Sequence, residues 1–302
     1  RTSFLSGRYP TTTGVLNNGI DPRLVLGRSY RFLPEYFRDH GYYTAGIGKI
    51  PHTPEHIGSM EWDFHRDTQW QPVPVFDGIK PKDTLDWPEE KHPDGLTARL
   101  AVDLIEVKRD EPWFLAVGFH RPHAPRAAPS KYWDAIDPDT IAIPQVGQLP
   151  ELFPQIALPP NLQTEASEAE IRKTLHAYHA TAGFVDAQTG LLFDALDRND
   201  LWDETVVVFF SDHGVHLGDH GGFWGKMTLM EESLKVPLLI HIPGGMAGSA
   251  IAQPVELIDL FPTLTEICEI PDQHGVEDTS LVPLLKDPTA IGEKQEVLAV
   301  AG

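Results

Sequence analysis

The residues best suited to chemistry fall in four clusters: Arg1 to Arg8, Gly48 to His52, Gly118 to Pro125 and Ser211 to Lys226. Each lies at the end of a predicted strand or the start of a helix. Ser211-Asp212-His213-Gly214 offers a carboxylate and an imidazole side by side, a pair suited to one hard or borderline divalent cation. A hydrogen-bonded turn is the alternative use of the same residues. Lys49 and His52 either hold an anion together or are solvated separately. They do not belong to a phosphate-binding P-loop, because that pattern needs Gly where Tyr43 stands and Ser or Thr where Ile50 stands. The run Gly118-Phe119-His120-Arg121-Pro122-His123 supplies two histidines and an arginine, fit for a proton donor or anion clamp or for a proline-stiffened loop.

Other polar groups carry weaker signals. His176 and His179 sit three apart in a helical pattern with no HExxH motif, which favours packing or solvation over metal binding. His216, Asp219 and His220 follow the Asp212-His213 turn closely enough to line the same pocket without being its ligands. Cys268 is the single cysteine, which excludes an internal disulfide framework and a multi-thiolate metal site.

Positioning these clusters requires strands that end beside one another. Tyr43 to Ile47, Trp113 to Gly118, Thr205 to Phe210, Val236 to Ile242 and Glu296 to Val300 read as strands. The run Thr205 to Phe210 lacks polar alternation and is expected to be buried on both faces, the habit of a parallel sheet covered by helices. Helices are expected around Phe32 to Phe37, stopping at Gly41; over a stripe of Leu96, Leu100, Leu104 and Val107, with Asp94 as N-cap; and from Glu168 to Asn199. The last opens with the capping-box pair Ser167 and Glu170. In an open α/β sheet, ligands collect beyond the carboxyl ends of the strands, where the four clusters fall. Two long irregular stretches, Pro51 to Pro93 and His120 to Glu165, read as substrate walls or surface insertions. Trp62, Trp70 and Trp87 in the first would pin it to the core or stack on sugar rings.

A hydrophobic content of 41% with 23% charged residues over 302 residues is enough for a full globular core. No apolar run approaches the roughly 20 residues of a transmembrane helix. The net charge of −20 argues against nucleic-acid partners, so an anionic ligand must be gripped by a few local cations.

Taken together, the four clusters resemble the sulfatase family of the alkaline phosphatase-like superfamily, nearest its iduronate-2-sulfatase-like branch. Arg1-Thr2-Ser3-Phe4-Leu5-Ser6-Gly7-Arg8 is similar to the second half of the signature CxPSRxSxLTGR, and Gly48-Lys49-Ile50-Pro51-His52 to GKxxH. Gly118 to Pro125 resembles GxHKPHxP, and Ser211 through Gly221 to Lys226 resembles SDHGxxLGEHG with its following lysine. The resemblance implies a mostly parallel sheet with helices on both faces, incomplete at both ends, over a single partial catalytic domain, residues 1–302. It implies hydrolysis of a sulfate ester on a sugar, with a 2-O-sulfated uronic acid suggested by the branch, by a formylglycine nucleophile beside one calcium ion. Asp212 and His213 would ligate Ca2+. Lys49, His52, His120 and Lys226 would surround the sulfate, with His120 and Lys226 as proton sources, and Arg1 would anchor the nucleophile.

By the same resemblance the nucleophile and an aspartate pair lie before Arg1, so these 302 residues alone are expected to be inactive. The intact protein would meet a formylglycine-generating enzyme and work in the periplasm, outside the cell or in the lysosome. The departures are Ser6 for Thr, Arg121 for Lys, Pro51 within GKxxH and one extra residue before Lys226. A phosphatase or phosphonate hydrolase of the same superfamily, and a non-catalytic module that binds sulfated glycans, are the alternatives.

Overall fold

Strand β1 (Tyr43–Gly48) lies between β2 (Phe64–Arg66) and β3 (Trp113–Gly118), paired in parallel with both. The computed structural model describes residues 1–52, 60–68, 87–144, 158, 166–271, 275–292, 294 and 296–299. Side chains alternate across β3 as the pleat requires. Trp113 and Leu115 face Ile105 of the helix Pro93–Lys108 and Leu196 of the helix Glu168–Arg198, whereas Phe114 meets Phe37 and Phe261 on the other side. Helices therefore cover both faces of the parallel sheet.

Among the helices used below, α1 is Thr2–Ser6, α2 Leu33–Asp39, α3 Pro93–Lys108 and α4 Glu168–Arg198. The predicted capping box of α4 is present: Glu170 N–H donates to Ser167 Oγ and Ser167 N–H to Glu170 Oε2. In α3 the buried stripe is not Leu96, Leu100, Leu104 and Val107 but Asp94, Thr97, Ala98, Ala101 and Ile105, with Val107 exposed. Small residues face inward because α3 is wedged closely between α4 and strands β1 and β3, a requirement that a search for large apolar residues overlooks. His92, not Asp94, is the N-cap of α3.

The second half of the chain departs from the parallel expectation. Strand β4 (Val207–Phe210) begins two residues later than predicted and pairs antiparallel with β7 (Leu238–His241). It is half-buried, with Phe209 exposed and Phe210 edge-on to Phe4 at 5.2 Å between ring centroids. An apolar run carries no information on strand direction, and here it did not mean burial on both faces. Between β4 and β7 lie the short antiparallel pair β5 (His216–Leu217) and β6 (Trp224–Gly225), then α5 (Glu231–Leu234). Residues 296–299 form no strand, and Val300 lies outside the described residues. Among the described residues no helix is long and apolar enough to cross a membrane.

Of the long irregular stretches, residues 53–59, 69–86, 145–157 and 159–165 lie outside the described residues, Trp70 among them. Trp62 packs against the cluster of Leu5, Phe32, Ile50 and Met60, and the Trp87 ring stands edge-on to His92. Both anchor their segment to the protein. His176 is likewise a packing residue: Nε2 meets the Trp133 carbonyl at 3.0 Å and its ring stands on Trp133, while His179 is exposed.

Candidate active site

The parallel register sets Gly48 directly opposite Gly118, so β1 and β3 end side by side and release their next residues into the same space. A Cβ at Gly48 would lie 2.2 Å from the Gly118 carbonyl oxygen, and a Cβ at Gly118 would lie 2.2 Å from that of Lys49. Only glycine fits either position, and Gly48 also has φ +80°. This close approach lets Lys49 N–H donate to Gly118 O at 2.7 Å, bringing Lys49 and His120 out of the sheet together.

The chain's first residue ties this end to the Asp212 turn. Arg1 Nε and Nη2 approach Asp212 Oδ2 at 2.8 and 2.7 Å, while Nη1 donates to the carbonyls of Lys49, Ile50 and Pro51 at 2.9, 3.2 and 3.3 Å. One guanidinium thus fixes both loops, its planar fork serving several acceptors at once. Beyond the turn, Lys226 Nζ lies 2.9 Å from His213 Nε2, and His213 Nδ1 lies 2.8 Å from Gly214 O. A carbonyl can only accept, so Nδ1 carries the ring's proton and Nε2 keeps its lone pair.

Electrostatics show how tightly the cations are gathered. Burial pulls the Lys49 ammonium down to about 8, with Arg1 and Lys226 pushing the same way and Asp212 and Asp94 opposing. Burial also lowers His52, helped by Lys49, Arg1 and Lys226, and lowers Lys226, where Asp212 opposes it. His120 is pushed down to about 3 by burial, Lys49, Arg121 and His123. Burial alone would raise the Asp212 carboxyl, but Arg1 and His213 hold it well below the usual carboxylate range. Every residue expected at the site, Arg1, Lys49, His52, His120, Asp212, His213 and Lys226, is therefore part of one charge system.

Two contributors were not read as site residues. His123 belongs here, its ring edge-on to His120 and its titration pushed down to about 4 by burial against a hydrogen bond to Ala124 O, with Lys49 and Lys226 adding to the fall. Asp94, read from the sequence as a cap, is buried at the second residue of α3 and accepts the backbone N–H groups of His120 at 2.5 Å and Arg121 at 3.2 Å. It is the group that fixes the course of the histidine loop, and a lone Asp at a helix start gives no sequence signal of that use. His216, Asp219 and His220, by contrast, contact one another rather than the cations in the contacts of the described residues.

Asp212 Oδ1 and His213 Nε2 stand 3.8 Å apart, with Oδ2 committed to Arg1. A carboxylate oxygen and an imidazole lone pair at this spacing fit two adjacent positions on one cation, part of the six to eight ligands that calcium takes.

Known proteins resemble this chain in sequence and in fold. A family profile described as sulfatase matches residues 1–270. The chain is 30% identical to a sulfatase of Formosa agariphila, over 100% of this chain and 67% of that protein. It is 27% identical to human iduronate 2-sulfatase (91% and 62%) and 29% identical to choline-sulfatase of Rhizobium meliloti (94% and 61%). These figures single out no one branch. The chain spans about three-fifths to two-thirds of the length of these three relatives. Its fold matches a phosphonate monoester hydrolase from Silicibacter pomeroyi with TM-score 0.76 at 21% identity, covering 97% of this chain and 68% of that one. With an alkaline phosphatase-like fold, and with the sulfatase profile reaching across Arg1, the paired glycine ends and the Asp212 turn alike, the chain belongs to the sulfatase family.

Proposed function

We propose that this chain is the greater part of the catalytic domain of a sulfuric ester hydrolase acting on a sulfated carbohydrate. The observation that carries the reading is the gathering of Arg1, Lys49, His52 and Lys226 around the carboxylate of Asp212 in a protein of net charge −20. Fixed positive charge of this kind costs its desolvation in advance and repays it when an anionic headgroup enters.

The side chains divide the work. Lys49 and His52 neutralise sulfate oxygens, and His123 lines the same wall. His120, held neutral in the free site, turns its Nε2–H to Ala124 O and leaves Nδ1 as a lone pair, so it has no proton to give there. Burial and Arg1 make the Lys226 proton easier to give up than that of an ordinary lysine, so it ranks ahead of the neutral His120 as the acid for the departing alcohol. Asp212 and His213 would hold the family's calcium ion, which when bound supplies positive charge at the sulfate. Arg1 keeps that carboxylate ionised and aimed. The nucleophile of this reading is a formylglycine supplied by the complete protein.

The test is to incubate the full-length protein with a panel of defined O-sulfated and N-sulfated sugars, aryl sulfates, phosphate monoesters and phosphonate monoesters, and to measure released anion by ion chromatography. Sulfate release from at least one sugar, exceeding any phosphate or phosphonate turnover, is expected. Faster phosphonate cleavage would replace this reading with a phosphonate hydrolase. Saturable binding of sulfated sugars without release would mark a glycan-binding module.

A further inference from the structure

Four side chains that follow the Asp212-His213 turn in sequence converge: His216, Asp219, His220 and Glu232. One ligand atom from each lies within 4.8 Å of all the others. His216 and Asp219 are buried, at 0% and 4% exposure, and His220 and Glu232 are partly buried. None of the four touches the cation system around Asp212 in the contacts described above.

The hydrogen bonds around His216 set an imidazole nitrogen and a carboxylate oxygen face to face. Thr228 Oγ donates to Ser233 Oγ at 2.9 Å, so toward His216 Nε2, 2.8 Å away, it can only accept, and Nε2 carries a hydrogen. Nδ1 stands in very close contact with Asp219 Oδ1, with either a proton or a metal ion able to sit between them, while Asp219 Oδ2 accepts from Leu217 N–H at 3.0 Å. Next to it, His220 Nε2 is buried and makes no hydrogen bond among the described residues; it stands 3.4 Å from Glu232 Oε1 and 4.0 Å from Asp219 Oδ1. His220 is held there with φ +47°, uncommon for a residue with a side chain. Four candidate ligand atoms are thus gathered within 4.8 Å of one another, one of them a buried imidazole nitrogen without a hydrogen bond among the described residues.

We infer that His216, Asp219, His220 and Glu232 bind a divalent transition-metal ion, of the zinc class, at a second site distinct from the Asp212–His213 pair. Two imidazoles and two carboxylates make a borderline donor set that suits zinc better than calcium. Tetrahedral zinc with bonds of about 2.1 Å separates its ligands by roughly 3.4 Å, the spacing already present between His220 and Glu232. The very close His216–Asp219 contact would have to open by about 1 Å on binding. Thr228 does what the outer partner of a metal-bound histidine does, fixing the tautomer through the nitrogen that faces away from the ion. The ion would join β5, the turn after it and α5, bracing the segment between His213 and Lys226 in a structural role.

The experiment uses the purified full-length protein, stripped with pyridine-2,6-dicarboxylate and titrated with Zn2+ against a chromophoric competitor and with Co2+ by visible absorption. The expected result is one zinc ion bound at about 1 µM or tighter, and tetrahedral Co2+ bands. His220→Gln and Glu232→Gln, on partly exposed side chains, should fold, as read by circular dichroism, and weaken Co2+ binding by about a hundredfold or more. Thr228→Val should weaken it by about 10- to 100-fold. Asp212→Asn should leave it unchanged. The inference is overturned if folded protein binds neither ion, or if Asp212→Asn abolishes Co2+ binding while His220→Gln and Glu232→Gln preserve it. Neither result depends on the sulfatase reading, because no step of the measurement uses substrate.

Discussion

Arg1 and Asp212, 211 positions apart, meet through two guanidinium nitrogens on one carboxylate oxygen, at 2.8 and 2.7 Å. The same guanidinium holds the carbonyls after β1, so the anion of the Asp212 turn and the cations of the Lys49 loop are set by a single side chain. Replacing the anion should therefore be felt on both sides. In the full-length protein, Asp212→Asn should abolish calcium binding measured by isothermal titration calorimetry and lower kcat/KM by at least about a hundredfold, the scale of losing one well-placed electrostatic group. Unchanged calcium affinity would remove Asp212 from the metal site.

Lys49 predicts the alkaline limb of activity. Its charge is present below about pH 8 and is lost as pH rises through that value, because burial and Arg1 favour the neutral amine. Affinity for an anionic ester should fall above about pH 8 with the slope of one proton. Lys49→Arg, which stays charged, should move that limb upward by more than a pH unit in a kcat/KM profile, at whatever cost to the maximum. A limb that stays in place assigns the titration to another group.

Asp94 should control loop position rather than chemistry. Removing its carboxylate leaves two N–H groups without their acceptor and the buried Arg121 guanidinium without its nearby anion. Asp94→Ala should cost about 3 kcal/mol in urea denaturation. Asp94→Asn retains an acceptor oxygen and should cost less while still lowering kcat. Equal losses for the two variants would show that the carboxylate is not holding the loop.

Gly48 tests the origin of the site in the sheet. Gly48→Ala meets the Gly118 carbonyl and a positive φ at once, and should destabilise the protein by about 2 kcal/mol or more. Gly41→Ala, also at positive φ but with open space around the added carbon, should cost less. Thermal denaturation of the two variants side by side decides whether close approach or backbone conformation dominates.

The strand ends and their motifs were legible because glycine, lysine and histidine at fixed offsets reflect local demands: a close approach, a charge and a proton carrier. The helix over 168–198 was legible for the same reason, since its start is written in Ser167 and Glu170. Strand direction was not. Whether Val207–Phe210 pairs in parallel or antiparallel is decided by Leu238–His241, far along the chain, and by connection geometry that leaves no mark on either run. Asp94 and the His216 cluster were missed because their meaning lies in what they face. The loop over Asp94 and the helix carrying Glu232 come from elsewhere in the sequence.

The pairing of β1 with β3 also bears on the order in which the protein folds. Residues 43 to 118 join into a sheet through α3, a crossover of modest span, and bring Lys49 and His120 together early. Asp212 and Arg1 can meet only when a loop of 211 residues closes, which is entropically slower. A refolding chain should thus acquire its anion-binding wall before its metal-binding half, and calcium binding should appear in the last kinetic phase.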